Sequence, residues 1–520
     1  MRLLRRRPAA PAVTVLGLVA LTALSLLVRN GSLDTGFWID EGLSVGIADR
    51  PLLEIPGILR QDGSPPLYYL LLHVWMAFAG DSETAVHALS LLIALLCVPA
   101  GWWALRDGFA ARASWVAAVL LALNPFLTSY AQEGRMYALV VLLGTLACGA
   151  LLRALVLGRA RWRIPLGILL AALMYTHNWA LFFGIACGLA WLVLLAVGSP
   201  ERRGESLRAG LVAFGTAAVL YLPWLPTTIF QAGHTGAPWA LAPPASALPQ
   251  VFERLLGSVA QFVLLLGVGI GVAAIWRRTR AAAGASGWWR EPEGRAVGTL
   301  IVIEVATLLI AWLSSQLSPA WALRYLAVGV APLLLLGALG LARAGGPGIA
   351  VLALVGVPWA FDGPPPEKSN VRELARTLEP TLRPGDLVVS TQPEQIPVLA
   401  YYLGDDLRYA TLWGRVPELG VTDWRDGVER LEATSAPRDL EPLVARLEPG
   451  RRLVLFEPIV YDRERWSAPW TELVRLRSLE WRSHLREDDR LEITAIVPPT
   501  SYPARPNPLR ATVHIRLPVD

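Results

Sequence analysis

Apolar blocks close to 20 residues long recur through the first two thirds of this chain, and about 20 residues is what a helix needs to cross the hydrocarbon core of a bilayer. They fall at about 11–28, 85–105, 113–130, 136–157, 164–176, 179–198, 209–229, 252–276, 296–315, 322–342 and 347–361. That core offers no water to unpaired backbone groups, so such blocks are predicted as helices, about eleven of them. Composition agrees. Of 520 residues 54% are hydrophobic and only 17% charged, whereas a soluble chain carries about a quarter charged. The expected fold class is mostly α, a polytopic membrane helix bundle. The first block follows Arg2, Arg5, Arg6 and Arg7 and is similar to a signal peptide. It is long and no small-residue cleavage site follows, so an uncleaved first helix is expected.

Basic residues orient the bundle. With the N-terminus in the cytoplasm, one side receives Arg106, Arg112, Arg153, Arg159, Arg161, Arg163, Arg202, Arg203, Arg208, Arg277, Arg278, Arg280 and Arg343. The other receives few, chiefly Arg29, Arg50, Arg60, Arg135, Arg254 and Arg324. The excess marks the inner side, and an odd span count places the C-terminus outside the cytoplasmic membrane. The net charge of +5 does not point to nucleic acid, because no basic stripe interleaved with aromatics is present. Arginine supplies nearly all of the positive charge, Lys368 being the single lysine. Cys97, Cys148 and Cys187 all lie inside apolar blocks, so no disulfide framework holds the C-terminal region.

At about residue 363 the composition changes. Pro364, Pro365 and Pro366 mark a stiff linker between a membrane domain, 1–362, and a soluble extracytoplasmic domain, 363–520. Helical stretches at 370–378, 395–402, 424–433 and 440–447 alternate with apolar runs at 387–390, 453–460 and 491–497, which predicts a small α/β domain. It carries no phosphate-binding glycine loop and no metal-ligand spacing, so no catalysis is assigned to it. Its removal after about residue 365 is expected to spare the fold of the helical part.

The chemistry-bearing residues gather on the outer side. The first outer loop, 30–84, is too long for a connector. It contains Trp38-Ile39-Asp40-Glu41, short amphipathic pieces at 43–48 and 52–59, and Asp62-Gly63-Ser64-Pro65-Pro66-Leu67-Tyr68-Tyr69. The pieces are too short to span and are expected to lie in the interface plane as a lid. Adjacent carboxylates near lipid suit proton abstraction or metal coordination; the bland alternative is a solvated loop with ordinary surface acids. Gln132-Glu133-Gly134-Arg135-Met136-Tyr137 opens the fourth span on the same side. There Glu133 and Arg135 suit either a metal beside a phosphate or an ion pair that anchors the helix. His177, within Tyr175-Thr176-His177-Asn178-Trp179, is a ligand, a hydrogen-bond donor to sugar, or a polar turn residue. Arg324-Tyr325 opens the tenth span, and Arg324 needs an anion, from a lipid headgroup or from a substrate. Aromatic faces suit sugar rings and arginine suits phosphate.

In this order the motifs resemble the GT-C type polytopic membrane glycosyltransferases, and are most similar to the group of protein O-mannosyltransferases and lipid A aminoarabinose transferases. The resemblance covers about 10–345. It implies that Asp40 is the catalytic base, with Glu41 supporting a metal or positioning its neighbour. Glu133 becomes a metal or acceptor contact, so that a divalent cation, Mg or Mn, is held by Glu133 with Asp40 or Glu41. Relatives often carry a basic residue or histidine directly before the Pro-Pro pair; here Ser64 stands there, with Asp62 two residues earlier. Donor binding therefore shifts onto Arg135 and Arg324, with Tyr68, Tyr137, His177 and Tyr325 around the substrate. The implied reaction moves a sugar (hexose or pentose, mannose-like favoured) from a polyprenyl-phosphate donor to a hydroxyl of a lipid, glycan or protein acceptor, with inversion. Membrane lipids surround the bundle and no nucleic acid takes part. A transporter or flippase for a lipid-linked or anionic substrate is the rival, since it too carries charges among broken helices. Against it, the acids lie at helix ends and in one outer loop, and no inverted repeat is visible.

Overall fold

The computed structural model describes residues 11–283, 288–363, 365–498 and 506–518. The basic cluster at 2–7 and Pro364 lie outside the described residues. Every apolar block is helical, but the expectation of eleven spans is not met by length. Seven described helices are long and apolar enough to cross a membrane: Pro11–Arg29, Glu83–Leu105, Tyr137–Val156, Ala180–Val197, Ala260–Ala281, Pro292–Leu317 and Leu323–Arg343. The pair Arg203–Tyr221 and Leu225–His234, bent by 68°, makes an eighth if counted as one span. The remaining blocks form shorter helices, Ala111–Leu123, Arg163–Met174 and Gly346–Ala360.

Local chemistry explains where blocks divide. The 113–130 block is two helices because Pro125 lacks an N–H and starts the second, Pro125–Tyr130, while the Asn124 side chain caps it by accepting from the Leu127 N–H at 3.0 Å. The 252–276 block breaks at Gly257, whose φ of 86° ends the helix Ala247–Leu256.

The C-terminal region is an α/β unit around one six-stranded sheet: β1 (Leu387–Ser390), β2 (Arg408–Thr411), β3 (Gly414–Arg415), β4 (Arg452–Pro458), β5 (Leu491–Val497) and β6 (Leu509–Arg516), in the order β3-β2-β1-β4-β6-β5. β1 runs parallel to both β2 and β4, Leu387 opposing Arg408 on one side and Leu453 on the other; β3, β5 and β6 complete the sheet antiparallel. One face buries Leu387, Val389, Leu453 and Leu455 against Trp470 and Trp481 of the helix Pro469–Glu487. The other face, with Val388, Val454 and Phe456, joins the apolar core of the membrane helices without a break.

That continuity places the helix Ile39–Ala48 between the two parts. Eight of its residues are buried, so the 43–48 piece is not a lid lying on the membrane surface as the sequence suggests. The cause is a pair of glycines one turn apart. A Cβ on Gly42 would stand 2.7 Å from the Val398 backbone nitrogen, and one on Gly46 would stand 2.2 Å from the Gly420 carbonyl oxygen. Only glycine lets the C-terminal domain approach this closely. Polar contacts extend the seam: Tyr402 OH accepts from the Phe37 N–H at 2.8 Å, Arg372 donates to the Asp34 carbonyl at 2.6 Å, and His234 Nδ1 lies 3.0 Å from Asp426.

Candidate active site

Asp40 and Glu41 are neighbours in sequence but not in space. Successive helical residues point about 100° apart. Glu41 turns into the bundle, where Oε1 accepts from His87 Nε2 and the Gly134 N–H, both at 2.7 Å, and Oε2 accepts from the Trp38 N–H at 3.3 Å. Burial alone would raise this carboxyl, but the contact with His87 and the Gly134 N–H overcome it and hold Glu41 below the usual carboxylate range. His87 also donates from Nδ1 to the Leu33 carbonyl at 2.8 Å. Glu41 thus ties the first outer loop to the second, and it borders the cavity beside Trp38 and Lys368 rather than the arginines that Asp40 faces.

Asp40 looks the other way, toward a cluster of cations and aromatics. Its Oδ2 is buried, makes no hydrogen bond, and lies 3.5 Å from Arg324 Nε and 4.0 Å from Arg135 Nε. Arg135 is held in place through one Nη1, whose two N–H groups are shared among the Asp40 carbonyl at 3.1 Å, Ser44 Oγ at 3.0 Å and Tyr69 OH at 3.1 Å. Arg324 lies over the Trp239 ring at 4.7 Å and the Tyr325 ring at 5.4 Å. Both arginines keep a buried Nε with no acceptor, as Tyr137 keeps an unpartnered hydroxyl. Unsatisfied groups that converge on one point mark a place where a ligand or water completes the bonding.

The other sequence-selected residues surround this centre. His177 packs 4.7 Å from Tyr325 and 5.9 Å from Tyr137, ring to ring. Its Nδ1 accepts from the Trp179 N–H at 3.1 Å, which leaves the proton of the neutral ring on Nε2. Burial, then Arg135 and Arg324, lower its pKa to about 3. Asp62 is close enough to feel Asp40 and Arg135; burial raises its carboxyl above the usual range while Ser64 bonds to it. Tyr68 is fully buried edge-on to Tyr69, and it is the Tyr69 hydroxyl that reaches Arg135.

Three residues that the sequence did not single out belong to the site. Lys368, from the linker, pairs with Glu133 and lies 4.5 Å from the centroid of the Trp38 ring. Together with Tyr130 and Glu41 they line a cavity of about 160 Å³. Burial pushes the Glu133 carboxyl up, and Lys368 opposes that. The one visible signal for Lys368 was its rarity. His87 gave none. Glu394, from the C-terminal domain, has one oxygen held by Gln392 at 2.9 Å and Trp470 Nε1 at 3.0 Å while the other is buried and unpartnered. Burial raises its carboxyl and the charge of Asp40 adds to the shift.

A divalent cation held by Glu133 with Asp40 or Glu41 would have Glu133 Oε1 and Asp40 Oδ2, both buried and unpartnered, to bind, but it would compete with partners these side chains already have. Glu133 is engaged by Lys368, Glu41 by His87 and two N–H groups, and Asp40 faces two guanidiniums that repel a metal. Among the described residues no three His, Cys, Asp or Glu side chains gather as ligands.

The profile of the family described as dolichyl-phosphate-mannose-protein mannosyltransferase matches residues 63–226, which include Ser64, Tyr68, Glu133, Arg135 and His177. No curated protein matches the sequence. Among solved structures, ArnT from Cupriavidus metallidurans, bound to undecaprenyl phosphate, is similar at a TM-score of 0.51 and 14% identity, covering 97% of this chain and 98% of that one. The archaeal oligosaccharyltransferase AglB from Archaeoglobus fulgidus, in complex with an inhibitory peptide and a dolichol-phosphate, is similar at 0.54 and 10% identity, over 85% of this chain and 69% of that one. The arabinofuranosyltransferase AftD from Mycobacteria reaches 0.53 at 13% identity, over 99% of this chain and 40% of that one. The chain is thus a polytopic helical protein that resembles the GT-C type membrane glycosyltransferases in fold, in the case of ArnT over almost all of its length.

Proposed function

We propose that this protein transfers a sugar, hexose or pentose with mannose-like favoured, from a polyprenyl-phosphate donor to a hydroxyl acceptor on the outer face of the cytoplasmic membrane. The observation that carries the reading is Asp40: a buried carboxylate oxygen without a hydrogen bond, facing two fixed guanidiniums. The acceptor hydroxyl gives its proton to Asp40 as its oxygen bonds to the anomeric carbon. The bond from that carbon to the phosphate oxygen breaks, its electron pair leaves with the polyprenyl phosphate, and the anomeric centre inverts. Arg324, Arg135 and Lys368 stabilise the charge that develops on the departing phosphate. In this scheme Glu41 and His87 hold the helix that presents Asp40, and Tyr137, His177 and Tyr325 offer ring faces and an Nε2–H to the sugar.

The mannose-type donor is supported by the matching family profile, and the lipid phosphate by the arginines gathered around Asp40. The N-terminus then lies in the cytoplasm and the C-terminal domain outside. The test is transfer from a panel of radiolabelled polyprenyl-phosphate sugars by protein reconstituted in proteoliposomes. Asp40→Asn is expected to abolish transfer while expression and unfolding temperature hold, and a chelator is expected to leave the wild-type rate unchanged. Normal turnover by Asp40→Asn removes the base assignment.

A further inference from the structure

A second, separate cluster of cations lies in the C-terminal domain. A cavity of about 220 Å³ is lined by Arg463, Arg475, Arg482 and Arg510 together with Ser478, Leu479 and residues 458–460, and no acidic residue lines it. A single water needs only roughly 10–15 Å³ measured in this way. There is room for an anion and part of the group that carries it.

The cations are not all spent on the fold. Arg482 and Arg510 hold the fully buried Glu457, at 2.8 and 3.2 Å, so one carboxylate answers two of them. Among the described residues Arg475 reaches only the half-exposed Glu472, at 3.4 Å, and its Nε is buried with no acceptor there. For Arg463 no ion pair with a described residue is formed. Glu457 answers only two of the four guanidiniums, and the others repel that pair unless a further anion sits among them.

The place agrees with the charge. β1 and β4 are parallel neighbours, but the chain leaves β1 for β2 on one side and returns to β4 on the other. In open α/β sheets ligands bind in the crevice beyond the carboxyl ends of the strands where the order reverses in this way. The cavity begins at Pro458, the last residue of β4, and Ser478 Oγ bonds Thr391 Oγ1, one residue beyond β1, at 2.7 Å.

We propose that this cavity is an anion site that takes a phosphate ester, gripped by Arg463 and Arg475 against the fixed pair Arg482 and Arg510. Arginine's planar fork matches phosphate oxygens two at a time. The proposal is independent of the role given to Asp40. The ester belongs either to a soluble glycan or to a lipid headgroup, and the experiment separates them.

The full chain is titrated with glycerol 1-phosphate by calorimetry in detergent. It is then titrated in nanodiscs of phosphatidylcholine with or without phosphatidylglycerol. Binding by the wild type that weakens at least about tenfold in Arg463→Gln and again in Arg463→Gln/Arg475→Gln supports the site. Arg438→Gln, an exposed change in the same domain, is expected to bind as wild type does. Competition by phosphatidylglycerol assigns the site to a headgroup, and its absence to a soluble ester. No binding by the wild type at millimolar ligand, or equal affinity in wild type and double variant, overturns the proposal. Arg463→Gln alone keeps the test sound if the double variant is unstable, because Arg463 is exposed.

Discussion

Asp40 and Glu41 show how far two adjacent carboxylates can diverge. As a pair in sequence they are equivalent acids in one motif, and nothing in their spelling separates them. On a helix they cannot share a target, and His87, 46 positions on from Glu41, settles which one turns inward. Substituting Glu41→Gln leaves His87 buried opposite an uncharged partner, so it is expected to destabilise the protein by about 3–5 kcal/mol. Asp40→Asn should lower the unfolding temperature less, measured side by side in nanodiscs. His177 gives a pH prediction. Its folded pKa of about 3 lies below the unfolded value near 6.5. The fold therefore favours the neutral ring, and its contribution is complete above about pH 6.5. Below that the unfolded chain takes the proton first, and stability falls with decreasing pH by up to about 1.4 kcal/mol per unit until about pH 3. Unfolding temperatures at pH 7.5 and 5 should converge in His177→Gln relative to wild type; an unchanged difference removes the assignment.

Elements were legible where hydrophobicity alone decides them, and less so where a single residue punctuates or a partner is remote. The apolar blocks became helices, and 387–390 and 491–497 are strands with the bounds expected. Asn124-Pro125 and Gly257 divided blocks that hydropathy reads as continuous. The helix Pro469–Glu487 and strands β2 and β6 were missed. The helix has few apolar positions, Trp470, Val474, Trp481 and Leu485 among its buried ones, diluted by arginine and glutamate. β2 is only four residues long, and β6, although its apolar residues alternate with Arg510, Thr512, His514 and Arg516, follows a Pro-rich approach. The seam along Ile39–Ala48 was invisible because its signal is two glycines, and glycine carries no pattern of its own. Gly46→Val places carbon inside the contact radius of the Gly420 carbonyl and is expected to cost about 1–3 kcal/mol. Limited proteolysis should then release the C-terminal domain faster than in wild type, whereas an equal rate means the seam does not hold the domain.

On the scale of the whole molecule, the division near residue 363 marks a change of composition across which the apolar core is continuous. The core runs from the membrane helices into one face of the sheet, Glu394 lies close enough to Asp40 to feel its charge, and the linker's Lys368 pairs with Glu133 beside Trp38. Truncation after residue 362 is therefore expected to strip the Ile39–Ala48 helix of its cover. The truncated chain should show a lower unfolding temperature and no transfer, against the expectation from composition that its fold is spared. A truncation as stable as the full chain would restore the two-part view. Much of the site was readable because motif residues gather at helix ends on one side. The remainder depended on contacts more than 200 positions apart, such as Lys368 with Glu133, which no local pattern encodes.

The solitary lysine carries one more consequence. Amine-selective acylation can mark this protein at a single side chain, Lys368, which is about a third exposed. Because that amine lines the cavity beside Trp38 and Glu133, the speed of its labelling becomes a direct gauge of occupancy. A bound donor would shield it, and an empty chamber would leave it open to reagent.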